Sequence, residues 1–143
     1  MRLDANEIWR AHIVAGNESF ELMQDLSAIG HYQKAILCTN QLLEINNNFR
    51  NYVAALIVSF HNLADVFVRL QEYQLAEFEL VDVHEILLNQ WHQSTEYSHE
   101  YDILQWGLSK TYLALASHVK AHNSKTIVMA PSVSNSSLGR ALN

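Results

Sequence analysis

The stretch from Asn48 to Leu88, NFRNYVAALIVSFHNLADVFVRLQEYQLAEFELVDVHEILL, limits what this chain can become more than any other part of it. Val53, Leu56, Ile57, Phe60, Leu63, Phe67 and Leu70 recur at helical spacing, and Ala54, Ala55, Val58, Val66 and Val68 cover much of the remaining circumference. A helix that is apolar on more than one face must be packed on more than one side. Residues 49–70 therefore read as a central helix with its neighbours laid around it.

Composition agrees with that reading. Of 143 residues, 49% are apolar, enough for one domain with a sizeable core. Four glycines and one proline leave room for long helices and argue against an all-β fold. Cys38, the single cysteine, excludes an intramolecular disulfide and reads as a buried structural thiol in a reducing compartment. The N-terminus opens MRLDANE, without a signal-peptide core, and no run of 18 uncharged apolar residues exists. A soluble, cytoplasmic protein with no membrane partner is expected. The net charge is −6, with eight acids and no Lys or Arg between Arg69 and Lys110. Such a surface repels phosphate backbones, so no nucleic-acid partner is expected.

Punctuation along the chain divides it into five helices. Asp4 and Glu7 have the spacing of a capping box, followed by Ile8, Trp9, Ile13, Phe20, Met23 and Leu26. Gly16-Asn17 predicts a bend or break in that helix, and Ile29-Gly30 predicts its close. A second helix is expected from Tyr32 to Ile45 and a turn at Asn46-Asn47-Asn48. The central helix ends near Gln71, a fourth runs over 73–91, and Ser94 or Thr95 caps a fifth carrying Tyr97, Tyr101, Leu104, Leu108, Tyr112, Leu115 and Val119. Residues 1–123 thus form the helical domain. Residues 124–143, with five serines and the only proline, read as a flexible tail. Within it Thr126-Ile127-Val128-Met129-Ala130 is apolar enough to dock on a surface.

An echo links two segments. Gly30-His31-Tyr32-Gln33-Lys34-Ala35 precedes Leu42-Leu43, and Leu70-Gln71-Glu72-Tyr73-Gln74-Leu75-Ala76 precedes Val83 and Leu87-Leu88. In each, a Tyr follows the expected turn and an Ala comes three residues later, a pattern that lets two antiparallel helices approach closely. Here the chain resembles tetratricopeptide repeats over residues 17–90, with Leu22, Leu26, Gly30, Tyr32 and Ala35 matching one repeat. Phe60, Leu63, Ala64, Phe67, Tyr73 and Ala76 match the next. Tyr32 and Tyr73 are 41 residues apart, against a family period of about 34, and Asn47 and Leu88 stand where the closing prolines would be. The resemblance implies an all-α, right-handed array of about five antiparallel helices whose last one caps the apolar edge.

It also implies recognition. First helices of successive units would line a concave groove, placing there Phe20 and Gln24, then His61, Asp65 and Arg69, then Trp106 and Lys110. The carboxylate clamp of some family members uses Lys and Asn where Phe20 and Gln24 stand, and only Asn62 matches a clamp asparagine. A protein or peptide partner, or another copy of the chain, is the expected ligand. A small cytosolic chaperone for a secreted or assembly-prone protein is a second reading, and a dimeric bundle with a structural or regulatory role a third.

Eight histidines raise the question of a metal. His118 and His122 are i, i+4, and Glu96-Tyr97-Ser98-His99 is a single E-x-x-H, whereas a di-iron bundle needs two such motifs and a zinc site three or four convergent ligands. No metal or other cofactor is expected. His61 and Asp65, also i, i+4, read as a local helix contact rather than an acid–base pair. No phosphate loop, nucleophile elbow or Cys/His signature appears, so the reading is of a non-enzyme.

Overall fold

The computed structural model describes residues 4–45, 48–96 and 98–129. Five α-helices follow in order: α1 (Ala5–Glu21), α2 (Asp25–Ile45), α3 (Phe49–Arg69), α4 (Tyr73–Gln93) and α5 (His99–Ala121). No strand occurs among the described residues. Each helix packs on the next, and α3 also packs on α5. Short connections make consecutive helices antiparallel neighbours.

The central helix is where the apolar circumference put it. One face of α3 (Tyr52, Val53, Leu56, Ile57, Phe60) joins Val83, Leu87 and Trp91 of α4 and Leu104 and Leu108 of α5. A second face (Leu63, Val66) meets Ile13 of α1 and Ala28, Tyr32 and Ala35 of α2. A third side gives Ala64 to Ala76, Leu80 and Leu115. Leu63 and Ala64 are buried, and Ala35 and Ala76 have no exposed surface, which is how paired helices come close there. By length and composition α3 passes for a membrane span, with mean hydropathy 1.3, but 56% of that window is buried inside the bundle. Where α3 crosses α5, a Cβ on Gly107 would lie 2.7 Å from Val53 Cγ1, so only glycine permits the approach.

Several boundaries differ from the sequence expectation. The capping box forms as read: the Glu7 amide donates to Asp4 Oδ1 at 2.8 Å and the Asp4 amide to Glu7 Oε1 at 3.0 Å. Gly16, however, neither bends nor breaks α1. Its missing side chain admits the Tyr32 ring, since a Cβ there would lie 2.5 Å from Tyr32 Cε1. Nor does Gly30 close a segment. It lies inside α2, where a glycine costs only about 1 kcal/mol. The turn comes earlier, at Leu22–Gln24, so Leu22 and Leu26 are 67% and 83% exposed rather than in a first-helix core. Asn48 caps α3, accepting from the Asn51 amide at 3.0 Å; Asn46 and Asn47 lie outside the described residues. Ser98, not Ser94 or Thr95, caps α5 by accepting from the Tyr101 amide at 3.1 Å. Ser94 instead closes α4, its hydroxyl donating to the Trp91 carbonyl. Tyr97 lies outside the described residues.

The true repeat is in the turns. Met23 (φ 63°) and Gln71 (φ 61°) are left-handed residues 48 positions apart. After α1, the Met23 and Gln24 amides bond the Phe20 and Ser19 carbonyls; after α3, the Gln71 and Glu72 amides bond those of Val68 and Phe67. Both are Schellman turns, which satisfy the last carbonyls of a helix. The helical hairpins α1–α2 and α3–α4 thus correspond at 48 residues. Tyr32 and Tyr73 are not equivalent positions: Tyr73 opens α4, whereas Tyr32 lies well inside α2. Ala28 and Ala76, both fully buried, are the matching small residues. A third such turn follows α5 at Asn123 (φ 53°), where the Ser124 amide bonds the Val119 carbonyl.

Candidate functional site

With three sides of α3 buried, a fourth, half-buried to exposed, carries His61, Asn62, Asp65 and Arg69. The best-built part of this face is a cleft of about 100 Å³ lined by Asn17, Phe20, Tyr32, Asn62 and Asp65. Its polar wall is fixed from beneath. The buried Tyr32 hydroxyl donates to Asn17 Oδ1 at 2.5 Å, and Asn62 Nδ2 approaches the same oxygen at 3.4 Å. Its rim is fixed by Arg69. That guanidinium carbon lies 3.5 Å from the Phe20 ring centroid, Nη2 donates to the Phe20 carbonyl at 2.8 Å, and Nε donates to Asp25 Oδ1 at 3.1 Å. The Arg69–Asp25 ion pair therefore ties the end of α3 to the start of α2.

Desolvation marks three of these groups. Burial raises the Asp65 carboxyl above its ordinary range, although the residue as a whole is exposed, so the effect is partial enclosure against the cleft wall. Burial lowers His61, whose Nε2 is buried with no hydrogen-bond partner. The Tyr32 hydroxyl is raised by burial and then by the Asp65 charge. Unpaired or displaced polar groups of this kind accommodate an incoming donor or acceptor.

The seven residues expected to line one groove fall into separate sets. Phe20, Asp65 and Arg69 meet around the cleft, and His61 lies half-buried on the same side of α3. Trp106 and Lys110 form a second cluster with Arg50, whose guanidinium carbon lies 4.0 Å from the Trp106 ring centroid and Lys110 Nζ 5.5 Å from it. Gln24, expected on the first helix, lies in the turn beyond it, its carbonyl accepting from the Ala28 amide. Asn17 and Asp25 were not legible as contributors, because their roles depend on a turn at residues 22–24 that carries no glycine, and Arg50 was not, because its partner Trp106 comes from α5. A wider cleft of about 500 Å³ lies elsewhere, lined by Leu43, Phe49, Gln90, Ser98 and Leu104 among others, and none of the seven residues borders it.

A second arrangement lies between α4 and α5. Residues 124–129 run back from the Asn123 turn along this seam. Glu77, a buried acid of α4, accepts from the Thr126 hydroxyl. His84 Nε2 donates to the Met129 carbonyl at 2.8 Å, while its Nδ1 is hydrogen-bonded with the Thr111 hydroxyl at 2.7 Å. Val128 packs against the cluster of Leu80 and Leu115. The apolar patch in the tail is thus seated from Thr126 to Met129, on the chain's own helices; Ala130 and the rest to Asn143 lie outside the described residues. His118 is engaged too, with Nε2 donating to the Tyr73 carbonyl at 3.0 Å and the His122 ring stacked on Tyr73.

A family model described as a protein of unknown function, DUF2753, matches residues 7–137, nearly the whole chain. The chain belongs to this family. The match continues past α5, so the seated segment falls within it. No curated protein and no solved structure matches the chain.

Proposed function

We propose that this protein is a non-enzymatic interaction module of the tetratricopeptide type, which binds a protein segment, or another copy of itself, on the face formed by α1, α3 and α5. The observation that carries the reading is the cleft on the α1 side of that face, where α1, α2 and α3 meet. Asn17, Tyr32, Asn62, Asp65 and Phe20 converge there from three helices, braced from outside by Arg69. Rigid helical elements hold the donors and acceptors before any ligand arrives, which lowers the ordering cost of binding. An aromatic floor beside a partly desolvated carboxyl suits a peptide that offers a donor and an apolar side chain. Arg50, Trp106 and Lys110 extend the face with a cationic, aromatic end, where a partner's acidic residue fits. The setting is proposed to be the cytoplasm, and the acidic α4–α5 surface disfavours nucleic acid as the partner.

Co-purification from the native cell tests this with the variant Asp65→Arg/Lys110→Glu, which reverses two exposed charges and leaves the core untouched. A specific partner recovered with the wild type and lost with the variant is the expected result, with the two helical melts superimposable. The same partner recovered equally by both would refute the assignment to this face.

A further inference from the structure

Residues 124–129 alternate strictly, with Ser124, Thr126 and Val128 half-buried and Lys125, Ile127 and Met129 exposed, the last two at 83% and 65%. That two-residue period is the pattern of a segment laid along a surface, not of a wandering linker. The seam meets it with fitted chemistry. Glu77 and His84 are seven residues apart on one face of α4, so both point into the seam, two turns from each other. Glu77 accepts from a hydroxyl side chain, Val128 enters the apolar cluster of Leu80 and Leu115 between them, and His84 donates to a backbone carbonyl one residue further on. Thr111 fixes the His84 ring from behind. Two buried polar groups on the helices thus satisfy themselves through a segment that inserts only one apolar side chain. A seat of this kind needs an occupant, and a strap held by so few contacts is displaced by a segment that makes the same ones.

We infer that the α4–α5 seam is a second recognition site, specific for an extended peptide of the form hydroxyl residue–any residue–β-branched residue, and that Thr126–Met129 is its resident, displaceable occupant. A partner presenting such a segment takes the place of the strap. Recognition is of side chains at alternate positions together with one main-chain carbonyl, as in other extended-peptide sites. While the strap is closed, apparent affinity for a free peptide falls in proportion to the fraction of molecules that are open. The site is independent of the face formed by α1, α3 and α5.

The test uses the full chain and a blocked peptide of sequence SKTIVM, with titration followed by calorimetry and by the His84 ring resonances. Val128→Asp, which unseats the strap without altering the helices, is expected to bind the peptide at least about tenfold more tightly than the wild type. A peptide carrying Val in place of Thr and Asp in place of Val is expected not to bind. Should Val128→Asp lose its helical melt, the milder Thr126→Val serves in the same comparison. Equal affinity of wild type and variant, no binding to either, or equal binding of the altered peptide would overturn the proposal. So would a wild-type dimer dissociated by Val128→Asp, which would assign the seat to the segment of a second copy.

Discussion

At the scale of single residues, the three described glycines separate by what surrounds them rather than by where they fall in the pattern. Gly16 and Gly107 are places where another side chain occupies the Cβ position, while Gly30 has nothing within 4 Å. Gly30→Ala is accordingly expected to stabilise the fold by about 0.5–1 kcal/mol through better helix propensity. Gly16→Ala gains the same propensity but drives a methyl into the Tyr32 ring, and is expected to lower stability by a net ~1–2 kcal/mol. Urea midpoints of the two variants should move in opposite directions; a shift of the same sign would mean that the Tyr32 ring does not lie on α1. His61 supplies a pH dependence. Burial holds its folded value below the ordinary 6.5 or so of the unfolded chain, so between those values the unfolded chain binds more protons and stability falls as pH drops. Asp65, raised by burial, acts with the opposite sign in a lower window: its folded form holds the proton more tightly, so its contribution grows as pH falls towards about 4. His61→Gln is expected to flatten the loss of melting temperature between pH 7 and pH 5.5, and an unchanged slope would place the titration elsewhere, His12 being the other lowered histidine.

At the scale of elements, what sequence conveyed well was what helical periodicity encodes. The full apolar girth of α3, the capping box of α1 and the buried Ala35 and Ala76 were all legible, because burial leaves its mark at 3.6-residue spacing. Boundaries were not, because punctuation is ambiguous. Gly30 signals a turn by composition yet sits inside α2, and the real turn is built at Met23, a residue with no turn propensity. A Schellman turn closed by main-chain bonds tolerates a left-handed Met at a cost on the order of 1 kcal/mol. That misplaced boundary shifted the repeat from 48 residues to an apparent 41 and put Gln24 on the wrong element. Replacing Met23 or Gln71 by glycine relieves the left-handed strain and is expected to raise stability by up to about 1 kcal/mol, less the entropy gained by the unfolded chain. Met23→Val should do the reverse, since β-branched residues resist positive φ. Denaturant melts check both; a stabilised Met23→Val would mean that the turn has another conformation. The site was half legible for the same reason. Positions on α3 were found from spacing, but their partners on α1 and α2 required the correct turn.

At the scale of the whole molecule, α3 joins two helical hairpins into a single array and leaves one side of itself only partly covered, with a braced cleft at Asn62 and Asp65. That side is the proposed recognition surface, and it can be probed without knowing the partner in advance. A photo-crosslinking amino acid placed at Asn62, on the cleft wall, is compared in the native cell with one at Leu37, on the outer surface of α2 and 76% exposed. The account predicts a discrete adduct from position 62 that maps to one segment of one protein, another copy of this chain included, and no comparable adduct from position 37. Equal yields at the two positions, or none at position 62, would contradict it.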